Sequence, residues 1–262
     1  INAEYGEPLI MSGYDSDCGV FSPDGRIFQI DYAIKASESQ GLGIAMKVKD
    51  GVCMMVQRSY HSTLQEPSSS RFFQLTDSII VCVVGMLPDG RVICQNLLEQ
   101  CQSYEDNYAR EIPIDQLATI ASNFMQQYTH YSSVRPFGCS LFITSGEQLY
   151  FLQPSGDFFN SFAASAGKKS GNARVELEKL IGEQQSSGTD RFGHLKKSRN
   201  DGGNLNKIEL DQSMSESAKI MWTVFDENQD MKWYCEGALV SKAGIKILEF
   251  DEMQQIVEQN KE

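Results

Sequence analysis

No apolar run in the 262-residue sequence approaches the length of a membrane span, and no C-x-x-C pair occurs. The first absence argues against a membrane anchor. The second, together with three histidines (His61, His130 and His194) that lie far apart without cysteine or carboxylate at ligand spacing, argues against a structural metal site. Basic residues are also scarce, 23 against 35 acidic, for a formal charge of -12. That balance removes the cationic face that nucleic acid or an acidic membrane surface demands, so proteins or small molecules are the expected partners. The segment INAEYGEPLIMSG has no basic region leading into an apolar one, so no secretory signal is expected. Seven cysteines, odd in number and mostly within apolar runs, read as reduced core thiols and not as a disulfide framework. The chain is expected in the cytoplasm and nucleus.

What is present is enough apolar material, 41% of residues, for a packed core. Ser22-Pro23-Asp24-Gly25 suits a tight reversal, with Ser22 as cap, into a helix whose Ile27, Phe28, Ile30, Tyr32, Ala33 and Ile34 cover most of its circumference. One buried side is not enough for such a helix. Residues 42–58 read as two strands around Lys49-Asp50-Gly51, a strong hairpin signal, and both strands carry apolar residues on two faces, which predicts a layer on each side. A strand follows at residues 79–86. The period then changes: Ile93, Leu97, Cys101, Tyr104 and Tyr108, followed by Ile114, Leu117, Ala121, Phe124 and Tyr128 behind Pro113, predict two adjacent helices. A second sheet is expected from a hairpin at 139–154, turning at Gly146-Glu147, and a strand over 157–166. Helical spacing returns at Ala173, Leu177 and Leu180, and again from Leu210 to Phe225. A strand near residues 232–240 and a last helix through Phe250, Met253 and Val257 complete the order. Residues 182–206, rich in Gly, Ser, Asn and charge, read as a mobile insertion. This order predicts an α+β, four-layer αββα sandwich of two antiparallel sheets with an extra N-terminal helix. Residues 1–24 form a tail and reversal, and 25–262 a single domain.

Several motifs fall short of a chemistry. Ala166-Gly167-Lys168-Lys169-Ser170 lacks both the leading glycine and the hydroxyl directly after Gly-Lys that a phosphate loop needs, so a helix start with two solvated lysines is the better reading. Gly138-Cys139-Ser140 lacks the second glycine of a nucleophile elbow. Acidic pairs such as Asp15 with Asp17 read as solvated carboxylates. No self-contained active site and no cofactor are expected.

Gly13-Tyr14-Asp15 followed by Phe21-Ser22-Pro23-Asp24-Gly25-Arg26-Ile27-Phe28-Gln29-Ile30-Asp31-Tyr32-Ala33 closely resembles the signature of proteasome alpha-type subunits. Tyr131-Ser132-Ser133-Val134-Arg135-Pro136-Phe137-Gly138-Cys139-Ser140, with Gln148-Leu149-Tyr150 and Gln153-Pro154-Ser155-Gly156, looks most like the alpha-type 3 branch, which holds the seventh ring position. The resemblance is clear over residues 13–181 and rests on element order alone over 207–250.

This resemblance implies the Ntn-hydrolase fold of proteasome subunits and a place in the alpha ring of the 20S core particle, beside neighbouring alpha subunits and the beta ring. Regulatory and activator particles and unfolded protein substrates in transit are the further partners it implies. The opening helix, with Ile27, Phe28, Ile30 and Ile34, is then a ring-interface element. Tyr14, Asp15, Pro23 and Tyr32 match the family's gate cluster, although Ser16 departs from the arginine that often follows Tyr-Asp. Arg71, Gly85 and Met86 match the lysine and Gly-Leu of the pocket that receives regulator tails. The arginine keeps a cation for a terminal carboxylate, with a plain surface salt bridge as the alternative role. Catalysis in the related beta-type subunits needs an amino-terminal threonine as both nucleophile and base. Aligning the Lys49-Asp50-Gly51 hairpin puts that position at Gly41 and its supporting aspartate at Gln57, so no catalytic residue is expected. An active amino-terminal-nucleophile hydrolase and a stand-alone scaffold are the competing readings.

Overall fold

The structure, a computed structural model, describes residue 14 and residues 17–59, 70–182, 202–225 and 233–260. The reversal read at Ser22 is there: Gly25 N–H donates to the Ser22 carbonyl at 2.8 Å, with Gly25 at φ +74. Ser22 does not cap the helix, however. Its hydroxyl accepts from Arg26 N–H at 3.1 Å and closes the turn, while α1 (Phe28–Glu38) starts behind Ile27 without a side-chain cap.

The hairpin pattern yields β1 (Gly43–Val48) and β2 (Gly51–Ser59), followed by β3 (Phe72–Gln74) and β4 (Ile80–Gly85). The helical periods become α2 (Leu87–Tyr108) and α3 (Ile114–Gln127). Next come β5 (Cys139–Thr144), β6 (Leu149–Leu152), β7 (Phe158–Asn160), β8 (Ala163–Ala166) and α4 (Ser170–Ile181). The chain closes with α5 (Leu210–Val224), β9 (Trp233–Ser241), β10 (Gly244–Ile247) and α6 (Phe250–Gln259).

Two antiparallel sheets result, in the orders β10-β9-β2-β1-β8 and β3-β4-β5-β6-β7. The two-faced apolarity of β1 and β2 has a direct cause. Ala45, Val52, Met54 and Val56 point at the facing sheet and meet Ile80, Val84 and Phe142. Ile44, Met46, Cys53 and Met55 point the other way, into α4, α5 and α6 through Leu177, Met214 and Met253. On the far side α2 and α3 cover the second sheet, with Ile93, Leu97, Leu117 and Met125 against Val81, Val83 and Leu141. Each such side chain contributes roughly 1.5–3 kcal/mol on burial, which is what holds four layers together. The αββα sandwich is therefore the fold.

Three further expectations change. The single strand read over 157–166 is two strands in different sheets: β7 pairs with β6, and β8 with β1. The switch is made by neighbouring residues, since Ser161 N–H donates to Leu149 O at 2.8 Å while Phe162 O accepts from Lys47 N–H at 2.7 Å. Lys169 is not simply solvated; it sits at φ 58 and its Nζ donates to the Val224 carbonyl at 3.2 Å. Of the segment expected to be mobile, residues 183–201 lie outside the described residues, but its end is packed. There Gly203–Lys207 form a 3-10 helix with Leu205 buried against the α4–α5 side.

Layer spacing is tight enough to test. A Cβ on Gly90 of α2 would run into the Val83 side chain of β4. Gly90→Ala is therefore expected to destabilise the domain by about 1–3 kcal/mol despite its higher helix propensity, read as a lower melting temperature.

Candidate functional site

At the position expected for a nucleophile, the chain leaves no room for one. Gly41 enters β1 against β2, where Gln57 N–H donates to Leu42 O at 2.7 Å. A Cβ on Gly41 would run into the Gln57 carbonyl, and one on Gly167 would run into the Gly41 carbonyl. The Gly41 nitrogen is part of the Gln40–Gly41 peptide, whose carbonyl accepts from Lys168 N–H at 2.9 Å. Hydroxyl and free amine are both missing, and backbone encloses the place where a side chain would start. A cavity of about 80 Å³ lies alongside, with Gln57, Lys168, Phe225 and Trp233 among its walls.

Arg71, Gly85 and Met86 do come together, though not at the surface. Arg71 is only 8% exposed, so the surface salt bridge considered for it is ruled out. Its Nη1 donates to Gly85 O at 2.8 Å and Val83 O at 3.3 Å. Gly85 has φ +116, and a Cβ there would press on Gly138 O at 2.6 Å; the next residue, Met86, donates its N–H to that same carbonyl at 3.0 Å and leads into α2. Burial pushes the Arg71 guanidinium pKa down, and the nearby Arg58 charge adds to this. Its Nε is buried without a hydrogen-bond partner among the described residues.

Glu236 completes this cluster and was not singled out in the sequence. It accepts from Arg58 Nη1 at 2.6 Å, Arg71 N–H at 2.9 Å and the Ser70 hydroxyl at 3.2 Å. A signal existed: Glu236 falls in register with Ala238 and Val240, on the face of β9 that meets the other sheet. A charge in such a series calls for a buried partner.

Next to Met86, the first turn of α2 carries Asp89, which is buried. Arg135 grips it twice, Nη1 to Oδ2 at 2.6 Å and Nη2 to Oδ1 at 2.8 Å, and Gly138 N–H donates to Oδ2 at 2.8 Å. Burial alone would raise the Asp89 pKa, but the Arg135 and Gly138 hydrogen bonds hold it below the usual aspartate value.

Helix α1 crosses the end of the sandwich above β4 and β5. Ala33 and Ser37 face the body, and the Ser37 hydroxyl lies 3.4 Å from both Val84 O and the Ser140 hydroxyl. Ile27, Phe28, Ile30 and Ile34 are only half-buried, and Phe21 before the reversal is 66% exposed. The chain's own body thus covers part of the helix. Of the four expected gate residues, Tyr14, Pro23 and Tyr32 are exposed, and Asp15 lies outside the described residues.

A family profile for the N-terminal signature of A-type proteasome subunits matches residues 14–36, the reversal and most of α1. A second, described as "Proteasome subunit", matches residues 38–197, more than half the chain. The chain belongs to the proteasome subunit family. Among relatives of this proteasome subunit, the alpha type-3 proteasome subunit of Drosophila melanogaster is 32% identical over 239 residues, 89% of this chain and 85% of its own. That of Arabidopsis thaliana is 32% identical over 238 residues, 87% and 86% of the two chains. The probable alpha type-7 proteasome subunit of Saccharomyces cerevisiae is 40% identical over 177 residues, 66% and 62%. The alpha-type assignment carried by the opening stretch is thereby met, and the matched signature spans the reversal and α1 that stand over β4 and β5.

Proposed function

We propose that this alpha-type subunit is a non-catalytic member of the alpha ring of the 20S proteasome core particle, through which unfolded proteins pass on their way to proteolysis in cytoplasm and nucleus. The observation that carries the non-catalytic part is Gly41, whose surroundings admit neither a threonine side chain nor a free amine. That argues against an active hydrolase. Against a stand-alone scaffold stand the half-buried Ile27, Phe28, Ile30 and Ile34 of α1, an apolar surface suited to a neighbouring alpha subunit. The beta ring is the other ring partner in this reading.

Two finer roles follow from the same reading. The tail ending at the reversal helps close the substrate path, with Tyr14, Asp15, Pro23 and Tyr32 holding its course. Pro23 supports this by limiting the freedom of the turn. The Arg71–Gly85–Met86 corner receives the terminal carboxylate of a regulator. Deleting residues 1–15 from the assembled particle is expected to raise basal peptide hydrolysis, and Asp15→Ala to weaken activator-stimulated hydrolysis. Unchanged rates for both variants in fully assembled particles would remove the gating role.

A further inference from the structure

Among the described residues from Tyr14 to Phe21, only Cys18 is buried. Tyr14, Gly19, Val20 and Phe21 are exposed and Asp17 is half-buried, yet Cys18 is 4% exposed. Asp17 shapes the turn around it, its Oδ1 accepting from Gly19 N–H at 2.8 Å. The Cys18 thiol donates to the Val134 carbonyl at 3.8 Å, a contact between residues 116 positions apart. A thiol is a small apolar group and a weak donor, so burial holds Cys18 in place and the hydrogen bond gives the contact its direction.

The seat under Cys18 is itself held. Val134 precedes Arg135, which grips Asp89 with two hydrogen bonds and also donates to the Pro136 carbonyl at 3.1 Å. Gly138 N–H donates to the same carboxylate, so one buried side chain of α2 fixes both ends of residues 135–138. Hydrogen bonds to a charged acceptor are roughly twice as strong as neutral ones, which makes this a firm support. Ser22, four residues after Cys18, is buried in the reversal, so the chain between them is pinned at both ends. The course of the chain ahead of the reversal is therefore set at Cys18 as well as at Pro23. We propose that Cys18 is a positioning residue of the tail: seated on the loop that Asp89 holds through Arg135, it fixes the tail to the body and sets its course toward the substrate path. This inference rests on the gating role given to the tail and names the residues that control it.

The test uses the assembled core particle. Iodoacetamide alkylates thiols as they become exposed, and peptide mass spectrometry reads the label on Cys18 beside that on Cys101, which lies on α2 and is equally withdrawn at 4% exposure. Arg135→Gln loses the charged grip on Asp89 but spares the Gly138 contact. It is expected to speed Cys18 labelling about tenfold, because a weakened support raises the population of locally opened chain, and to leave Cys101 near its wild-type rate. An unchanged Cys18 rate, or a Cys101 rate that rises by the same factor, overturns the proposal. Basal peptide hydrolysis is the second readout. Cys18→Asp, which puts a charge where the thiol is buried, is expected to raise it severalfold, in the direction of the deletion of residues 1–15. If the deletion raises hydrolysis and Cys18→Asp does not, the anchor has no part in closure and the proposal falls. If the deletion itself changes nothing while Cys18 labelling responds to Arg135→Gln, the gating role falls and the anchor on the body stands.

Discussion

Gly41→Thr is expected to abolish local fit without creating a peptidase. The new Cβ would run into the Gln57 carbonyl, and the atom it meets is backbone held in the β1–β2 hairpin, with Gln57 N–H already bonded to Leu42 O at 2.7 Å. No side chain can rotate out of the way. Strand β1 must part from β2, or the chain before it must move away from Gly167, whose own approach to the Gly41 carbonyl is equally close. Overpacking of this kind costs about 1–3 kcal/mol or more, which lowers the melting temperature by roughly 3–10 °C for a domain of this size. Thermal unfolding reads the first effect and fluorogenic peptides the second. A variant that melts normally, or one that cleaves peptides and is blocked by a threonine-directed inhibitor, would contradict this account.

Asp89→Ala is expected to be the most damaging charge change among those considered. It removes the acceptor of two Arg135 hydrogen bonds and of the Gly138 N–H, leaving that buried amide without its partner. Breaking a fully buried pair costs about 3–5 kcal/mol; the Arg135 side chain is 60% exposed and can turn to water, so about 2–3 kcal/mol is expected here. The loosened segment runs directly into Gly138 and β5, beneath Ser37 and α1, so the α1 end of the subunit should soften first. Urea unfolding measures the loss.

The pH dependence has a definite sign. The Asp89 pKa is lower in the folded chain than its ordinary 3.8, so the folded state holds that proton less tightly than the unfolded one. Its contribution is complete above the ordinary value and disappears as pH falls through the lowered one. The stability gap between wild type and Asp89→Asn should therefore be widest at neutral pH and close as the pH falls below the ordinary aspartate value. A gap independent of pH would assign the damage to shape and not to charge.

Much of the fold is visible in the residues themselves. The spacing of Ile93, Leu97 and Cys101 and of Leu117, Ala121 and Phe124 can bury one stripe only as helices, and α2 and α3 are those helices. Met54 beside Met55 needs cover on both faces of a strand, and it has it. The opening stretch carried the family by local pattern alone, because a reversal built on Pro23 and Gly25 depends on backbone torsions that near neighbours set.

Pairing across long chain separations was a different matter. An extended run from 157 to 166 looks alike whether it stays in one sheet or crosses at Ser161–Phe162, since each residue shows the same N–H and carbonyl to any strand that comes near. The lysine-like role given to Arg71 rested on its position along the chain, whereas its burial depends on carbonyls 12 and 14 residues away and on Glu236, 165 residues away. Alternation and turn chemistry are written locally, so the sequence by itself determined the helices, the long strands, the layers and the family. Which strand lies beside which, how tightly Gly41 is enclosed, and that two arginines share one carboxylate were decided only in the tertiary structure, because those contacts exist only once distant segments pack.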